Sequence, residues 1–214
     1  MKKSEREYLE KLRAHAASAV RYLSNACKSD RERAVCRAFL RCVGIDFAEN
    51  EIVAPSEEPA DVSFREARFQ VRKLMEKGRR RGDEWKLKQY RWNRARSMDD
   101  VTEPATLPVS MPFSEFVAAV TGALKEKSEK YGKLQCSGID ALVYVNLTAT
   151  RFLDPCSPSE NLGNLEAQGW RSVCVLFPPY GVVLFAREAA PHFLLGLAGK
   201  TLNNWGRPDS LFDP

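Results

Sequence analysis

Four polar residues in the first half of the chain have types and spacing that could hold a metal ion and a phosphate. Asp61 begins a short segment of alternating residues, and Gln70 and Arg72 lie two positions apart in a second one. Glu32 lies three residues before Val35, on the apolar stripe of a predicted helix, where a buried carboxylate needs a partner. Carboxylate and amide oxygens bind Mg²⁺, and a guanidinium stabilises charge on a phosphate.

The two alternating segments flank a polar turn at 65–68 and predict a β-hairpin. We expect Phe64 to pair with Phe69, which places Asp61 opposite Arg72. Residues that oppose each other directly lie on the same face of a sheet. The polar side chains that this pairing collects on one face are Asp61, Ser63, Gln70 and Arg72.

Two helices are predicted before the hairpin. The first is amphipathic over 9–23, and we assign it to an N-terminal helical extension of residues 1–28. Ser29 or Asp30 can cap the second helix, and Gly44 can end it with a left-handed residue. These helices must position Glu32.

The elements after the hairpin alternate between helix and strand. An apolar stripe over 113–131 predicts a helix that Gly132 ends. The nearly continuous apolar run at 139–147 predicts a central strand that is covered on both faces. A second hairpin is expected over 173–185. Before the first hairpin, a short irregular strand is expected over 45–53.

The segment 77–96 is strongly basic and is predicted to be a helix capped by Asp83. Trp85, Tyr90 and Trp92 are interleaved with the basic residues and could stack on nucleic-acid bases. A solvated helical face is the ordinary explanation of such a charge pattern. The candidate nucleic-acid contacts are Arg79, Arg80, Arg81, Lys86, Lys88, Arg91 and Arg94.

Composition excludes several classes of protein. The 214 residues are 44% hydrophobic and 29% charged, which is typical of one globular domain, and the net charge of +5 favours a polyanionic partner. Six scattered cysteines and two histidines show no zinc-ligand spacing, so we expect reduced thiols in a cytoplasmic protein. No apolar stretch is long enough for a membrane span.

The order of helix, strand, hairpin, basic segment, helix and buried strand resembles the restriction endonuclease-like core of the PD-(D/E)XK superfamily. The resemblance implies an α/β domain at 29–200, with a central mixed sheet flanked by helices, followed by a loosely held tail at 201–214. Over about residues 20–196 the chain also resembles an uncharacterised bacterial family described as "putative endonucleases". The motifs that carry this resemblance are RERAVC at 31–36, EPADV at 58–62, FQVR at 69–72, GRR at 78–80, GWRS at 169–172 and APHFL at 190–194.

The superfamily resemblance implies a catalytic set of Glu32, Asp61, Gln70 and Arg72. Glu32, Asp61 and Gln70 would hold Mg²⁺ or Mn²⁺, and Arg72 would contact the phosphate. Gln70 replaces an acidic residue, so one negative charge is lost and metal affinity should fall. Arg72 replaces a lysine and stays protonated, and strand alternation points Lys73 to the opposite face.

Three functions remain open from the sequence. The first is a metal-dependent endonuclease, or a protein derived from one, that acts on the DNA backbone. The second is a catalytically inactive nucleic-acid-binding or regulatory protein with a degenerate nuclease site. The third is an interaction module whose basic face binds an acidic protein partner. A structural alternative for Asp61 and Arg72 is a cross-strand salt bridge.

Overall fold

The structure is a computed structural model, and it describes residues 3–104, 107, 109–148, 150–152 and 162–204. These residues divide into two compact units. One unit contains the described residues up to Arg31 together with those from Lys77 to Pro104, and the other contains the rest. The predicted limits at 28 and 200 do not coincide with this division, because the basic segment groups with the N-terminal helix.

The first unit is built on two helices, α1 (Lys3–Tyr22) and α3 (Arg81–Arg94). The Arg13 guanidinium of α1 donates to the carbonyl oxygens of Trp92, at 3.0 Å, and Ala95, at 2.8 Å. These bonds satisfy carbonyls that the end of a helix leaves without an intrahelical donor. The buried residues of this unit's core are Leu9, Ala16, Trp92, Ala95 and Val101.

The second unit contains a mixed sheet with three parallel strands at its centre. They are β3 (Ala67–Leu74), β5 (Asp140–Val145) and β7 (Ser172–Phe177). Antiparallel strands extend the sheet on both sides. In chain order these flanking strands are β1 (Ile52–Val53), β2 (Val62–Phe64), β8 (Tyr180–Ala186) and β9 (Lys200–Leu202).

Helices cover both faces of this sheet. Helix α2 (Lys28–Cys42) contacts one face through Phe39, whose ring lies 6.1 Å from that of Phe69, and we name this the α2 face. Helix α4 (Phe113–Cys136) packs on the other face, the α4 face, where Leu124 joins Val143 in the core. Every residue of β5 is buried, which confirms the predicted central strand.

One predicted element limit is confirmed and another is wrong. Gly132 has a φ of 72° and interrupts α4 where the sequence predicted its end, and a short second helical segment continues from there to Cys136. The expected strand over 45–53 is reduced to β1, because a 3-10 turn at Glu49–Glu51 precedes it.

Several short elements were not predicted. They include a separate parallel pair of strands, β4 (Val109–Met111) and β6 (Thr150–Phe152), and the helical turn α5 (Gly163–Glu166). The last helix, α6, spans His192–Leu195. Of the predicted tail, β9 includes the first two residues, and the part beyond Asn204 lies outside the described residues.

Among the described helices, none is long and apolar enough to cross a membrane. The cysteines that the structure describes form no disulfide with one another. They are Cys27, Cys36, Cys42, Cys136 and Cys174, whereas Cys156 lies outside the described residues.

Candidate functional site

The β2–β3 hairpin closes through a two-residue turn and is two residues tighter than predicted. Phe64 pairs with Ala67, so the expected pairing with Phe69 is wrong. Arg65 in the turn has a φ of 50°, and short hairpin turns require positive φ angles. The corrected register moves Asp61 two positions along β3, while the faces of the hairpin stay the same because the shift is even.

Asp61 and Gln70 lie together at the start of this hairpin. The backbone N–H of Asp61 donates to the carbonyl oxygen of Phe69 at 2.8 Å. Its carboxylate Oδ2 accepts the backbone N–H of Val71 at 2.9 Å and the side-chain amide of Gln70. Gln70 is 3% exposed, whereas Asp61 is half-buried, so the pair has a buried amide and a carboxylate that remains in reach of solvent.

A hydrogen-bonded chain holds Gln70 from the side of α4. Tyr131 donates its hydroxyl to Gln70 Oε1 at 2.7 Å, and Lys127 Nζ donates to the Tyr131 oxygen at 3.1 Å. The Asp61 carboxylate can only accept, so the Gln70 NH₂ group must face it and the Gln70 oxygen must face Tyr131. The chain therefore runs in one direction, from an ammonium at Lys127 to the carboxylate at Asp61.

Sequence reasoning missed Lys127 and Tyr131 as parts of this site. Tyr131 lies on the inward stripe of α4 and was interpreted only as a core residue. A tyrosine on an inward stripe needs a partner for its hydroxyl, and a lysine four residues earlier lies on the same side of the helix. This spacing is the signal that could have found them.

Arg72 lies on the same face as Gln70 and forms an ion pair with α4. Its Nη2 lies 3.4 Å from Oε2 of Glu126, whose side chain is 86% exposed. Ion pairs at such exposed positions contribute little to stability. The Arg72 guanidinium therefore lies on the same face as Gln70, and its ion pair with Glu126 contributes little to the stability of the fold.

Glu32 is half-buried on α2, one turn before the buried Val35 and Cys36. Because α2 packs on the face that carries Phe69, the sheet separates this helix from the Gln70 side chain. Asp61, Gln70 and Arg72 belong to the hairpin, whereas Glu32 belongs to the helix on the α2 face, and the part of Glu32 in the expected catalytic set stays a prediction. Strand alternation places Lys73 on the α2 face as well.

The donor set at the hairpin fits a metal ion only in part. Within the described part of the chain, no three His, Cys, Asp or Glu side chains are grouped so that they could hold one. Mg²⁺ in phosphate chemistry is commonly held by one or two carboxylates together with phosphate oxygens and water. Asp61 can be such a carboxylate, whereas Gln70 turns its amide nitrogen toward Asp61 and acts as an anchor.

A second polar cluster surrounds Asp140 at the start of β5, and its role is structural. Asp140 is 0% exposed, and its carboxylate accepts bonds from the Arg171 guanidinium, from the Ser172 hydroxyl at 2.7 Å and from the backbone N–H of Arg68 at 3.0 Å. Arg171 also donates to the carbonyl of Glu66 at 2.9 Å. The cluster therefore ties the hairpin turn to β5 and β7.

The GWRS motif at 169–172 is explained by this cluster and its surroundings. Arg171 and Ser172 bind Asp140, and Trp170 is fully buried. Gly169 has a φ of 91°, and a Cβ atom there would lie 2.9 Å from the Cα of Lys133. The motif that contributed to the family resemblance thus maintains the fold.

The basic segment forms α3 as predicted, although its N-cap position is Arg80, which makes no side-chain capping bond, and not Asp83. Trp85 and Trp92 pack edge to face at 6.1 Å in the core of the first unit, so the expectation that they stack on bases is wrong. Tyr90 is the interleaved aromatic residue that is exposed, at 56%. The predicted contact residues that are exposed are Arg80, Lys86, Arg91 and Arg94.

The other predicted contact residues are less exposed. Arg79 forms an ion pair with Glu84, with one contact at 3.1 Å, and Lys88 Nζ lies 2.9 Å from Glu103. Arg81 is half-buried in the first turn of α3. Arg79 and Lys88 are therefore already paired, and all three cations are poorer candidates for nucleic-acid contacts than the exposed ones.

A cleft of about 590 Å³ lies along α4 at the Gly132 kink. Its lining includes Ser128 and Gln168, whose polar groups already donate to the carbonyl oxygens of Lys125, at 2.9 Å, and Thr121, at 2.8 Å. The lining also includes the charged residues Lys125, Glu129 and Lys133, so side chains of both charges border the cleft.

These features define a mixed α/β protein whose central hairpin presents a half-buried carboxylate beside a buried amide. The chain belongs to the family described as "Putative endonuclease, protein of unknown function (DUF1780)", whose model matches residues 4–206. The predicted resemblance to this family is confirmed. Membership of the PD-(D/E)XK superfamily stays a prediction.

Among solved structures, the chain is similar to a protein of unknown function from Pseudomonas aeruginosa strain PAO1 that is described as belonging to the monooxygenase superfamily. The two chains are 28% identical, the match covers 95% of this chain and 96% of that one, and the TM-score is 0.65. A comparison with curated proteins finds no match.

Proposed function

We propose that this protein is a divalent-metal-dependent endonuclease, or a protein derived from one, that acts on the DNA backbone in the cytoplasm. The observation that carries the proposal is the Asp61 carboxylate, which the hairpin and Gln70 fix in one position while it remains half-buried. A carboxylate held in this way is pre-organised to bind a cation beside a phosphate. The description of the family as "Putative endonuclease" supports the same chemistry.

The order of elements supports a restriction endonuclease-like core. Helix α2, strand β1, the β2–β3 hairpin, helix α4 and strand β5 follow one another, with β5 parallel to β3. In this arrangement Asp61 precedes the hairpin, and Gln70 and Arg72 follow on its second strand. Fold likeness by itself does not establish an activity, so the proposal depends on the residues of the site.

The expected roles follow from the chemistry of each side chain. Mg²⁺ or Mn²⁺ held at Asp61 would polarise the scissile phosphate and lower the pKa of a bound water. Gln70, locked by Tyr131, keeps the Asp61 carboxylate in place. Arg72 can neutralise charge that develops on the phosphate, since a guanidinium stays protonated but cannot act as a base. Glu32 remains a candidate ligand from the α2 side.

A catalytically inactive nucleic-acid-binding protein is the second candidate. The observation that favours it is the orientation of Gln70, whose nitrogen faces Asp61 and whose oxygen accepts from Tyr131. In that orientation the site has one carboxylate, and the Gln70 oxygen is not turned toward a metal ion held by Asp61. The basic face of α3 would then account for the function by itself.

The test is calorimetric titration of Mn²⁺ and Mg²⁺ into the wild type, with plasmid nicking followed in parallel. Asp61→Asn keeps the shape and one acceptor oxygen but removes the charge, and Asp99→Ala removes an exposed carboxylate from the first unit as a control. We expect binding and nicking in the wild type and the control, and loss of both in Asp61→Asn. Absence of both from the wild type would support the inactive binding protein.

The relative described as a member of the monooxygenase superfamily suggests another class of reaction. Proteins with unrelated activities can share a fold. A match at 28% identity is therefore better evidence for the fold of this chain than for its reaction. The same nicking experiment separates the two classes, because metal-dependent cleavage that requires Asp61 is a hydrolysis and consumes no oxygen.

A further inference from the structure

The outer side of α3 combines an exposed aromatic ring with exposed cations. Trp85 and Trp92 face α1 and the core, whereas Leu87 and Tyr90 are 59% and 56% exposed on the other side. The helix Arg81–Arg94 contains five basic and two acidic residues. A surface that is both positively charged and aromatic is suited to a ligand that has both anionic groups and flat rings.

Tyr90 and Arg94 form a stack on this surface. The Arg94 guanidinium carbon lies 3.6 Å from the centre of the Tyr90 ring, which is van der Waals contact. Arg94 is itself exposed, so the side of the guanidinium that faces away from Tyr90 is open to solvent. A planar guanidinium held over a tyrosine ring is a platform on which a further flat group can stack.

Nucleobases are such flat groups, but a duplex hides their faces in its own base stack. Single strands expose base faces, and proteins bind them by stacking bases on aromatic rings or on arginine side chains. The neighbouring exposed cations on the helix are Lys86 and Arg91, which can contact the phosphates on either side of a stacked base. An acidic protein would use the cations but not the planar stack.

We propose that the outer face of α3 binds single-stranded nucleic acid, with one base stacked on the Arg94 guanidinium that Tyr90 supports. The inference depends on the proposed function only in taking nucleic acid as the ligand. It assigns a strandedness that the Asp61 site does not address, and it requires no metal.

Fluorescence anisotropy with a labelled 12-nucleotide oligothymidine tests the proposal, with a duplex and an abasic strand of the same length as comparisons. Arg94→Lys keeps the positive charge but removes the planar guanidinium. Tyr90→Leu keeps an apolar side chain but removes the aromatic ring. Arg6→Lys on α1, an exposed arginine paired with Glu10, is the matched control. Both test positions are exposed, so the variants should fold, and circular dichroism checks this.

We expect the single strand to bind more tightly than the duplex, and each test variant to lose about tenfold in affinity for it, which corresponds to about 1.4 kcal/mol. The slope of log affinity against log salt should stay constant in Arg94→Lys, because the number of cations is unchanged. The abasic strand should bind the wild type and the variants equally.

Two results would overturn the proposal. The first is an affinity of Arg94→Lys for the single strand that equals that of the wild type, in which case the face is a solvated surface. The second is equal or tighter binding of the duplex. Failure of the nuclease proposal gives a different result. Plasmid nicking would then be absent, while Arg94→Lys would still bind the single strand more weakly than the wild type.

Discussion

Asp61 and Asp140 both accept a backbone N–H from β3, yet they are used in different ways. Asp140 binds the N–H of Arg68 at 3.0 Å and is 0% exposed, with an arginine and a serine completing its shell. Asp61 binds the N–H of Val71 at 2.9 Å and is half-buried beside an amide. Burial decides the difference: an enclosed carboxylate belongs to the fold, and one that solvent reaches can still bind a ligand.

The energetics of the two sites follow from this difference. A buried carboxylate paired with arginine stabilises the protein mainly because removal of one partner leaves the other charge without compensation. A half-buried carboxylate contributes about 1 kcal/mol for each hydrogen bond that it accepts, and water can replace part of these bonds. The same residue type should therefore give large stability effects at one site and small ones at the other.

Asp140→Ala should have the largest effect on stability. It leaves the Arg171 guanidinium, which is 14% exposed, without its carboxylate, and we expect a loss of about 3–5 kcal/mol in the free energy of unfolding. Urea denaturation measures this loss. Asp61→Ala is the comparison, with a smaller expected loss of about 2 kcal/mol for the two hydrogen bonds that the carboxylate accepts. Similar losses at both positions would contradict the division into a structural and a functional aspartate.

Gln70→Glu makes the Asp61 site resemble the acidic pattern of active nucleases. Two carboxylates would then meet where an amide now donates to a carboxylate, and their repulsion should cost about 3 kcal/mol at neutral pH. A divalent cation would relieve this repulsion. We expect Mn²⁺ to raise the thermal midpoint of Gln70→Glu by more than that of the wild type.

Asp61→Asn combined with Gln70→Glu is the control for this prediction. The double variant has one carboxylate at the site, as the wild type has, but it lies at position 70. If Mn²⁺ stabilises the single and the double variant equally, the added stabilisation does not depend on the Asp61 carboxylate, and positions 61 and 70 do not share a cation.

Much of the fold could be predicted from hydrophobic periodicity. The stripes of α1 and α4 and the continuous apolar run of β5 are local patterns that report burial directly. The short pair of β4 and β6 was missed because elements of three residues have no detectable period. The packing of α3 on α1 was missed because it joins segments that are far apart in the chain.

The candidate site was predicted in its residue types but not in its contacts. Asp61 and Gln70 were both selected, yet the two-residue turn that brings them together depends on the positive φ of Arg65. Tyr131 lies 61 positions from its partner Gln70, and no local pattern connects them. Asp140 was not selected at all, because no local sequence pattern connects an aspartate at the start of a strand with an arginine 31 residues later.

Tyr131→Phe tests whether Gln70 is held as an anchor. The substitution removes the donor to Gln70 Oε1, which lies on a side chain that is 3% exposed, and we expect a loss of about 2 kcal/mol in stability. Chemical denaturation measures the loss. Lys130→Met is the control, since Lys130 Nζ lies 5.7 Å from the same ring. A loss no larger than that of the control would show that water satisfies Gln70.

The smallest expected effect on stability concerns the exclusion of solvent from the α2 face around Asp140. Burial raises the pKa of the Cys36 thiol on α2 to about 12 from a usual value of 9.0, and burial together with the Asp140 charge raises the pKa of Cys174. Between pH 9 and pH 12 the unfolded Cys36 thiol loses its proton while the folded one keeps it. Stability should therefore fall as the pH rises through this window, by about 1.4 kcal/mol per pH unit for this one thiol.

Cys36→Ala isolates that contribution. Below pH 9 the variant is less stable than the wild type, because a buried side chain is lost. Between pH 9 and pH 10 the gap should narrow by about 1 kcal/mol, because the variant has no thiol to ionise. Urea denaturation at a series of pH values measures the gap. A difference in stability that stays constant to pH 10 would mean that solvent reaches Cys36. The α2 face would then exclude solvent no better than the surroundings of Asp61 do.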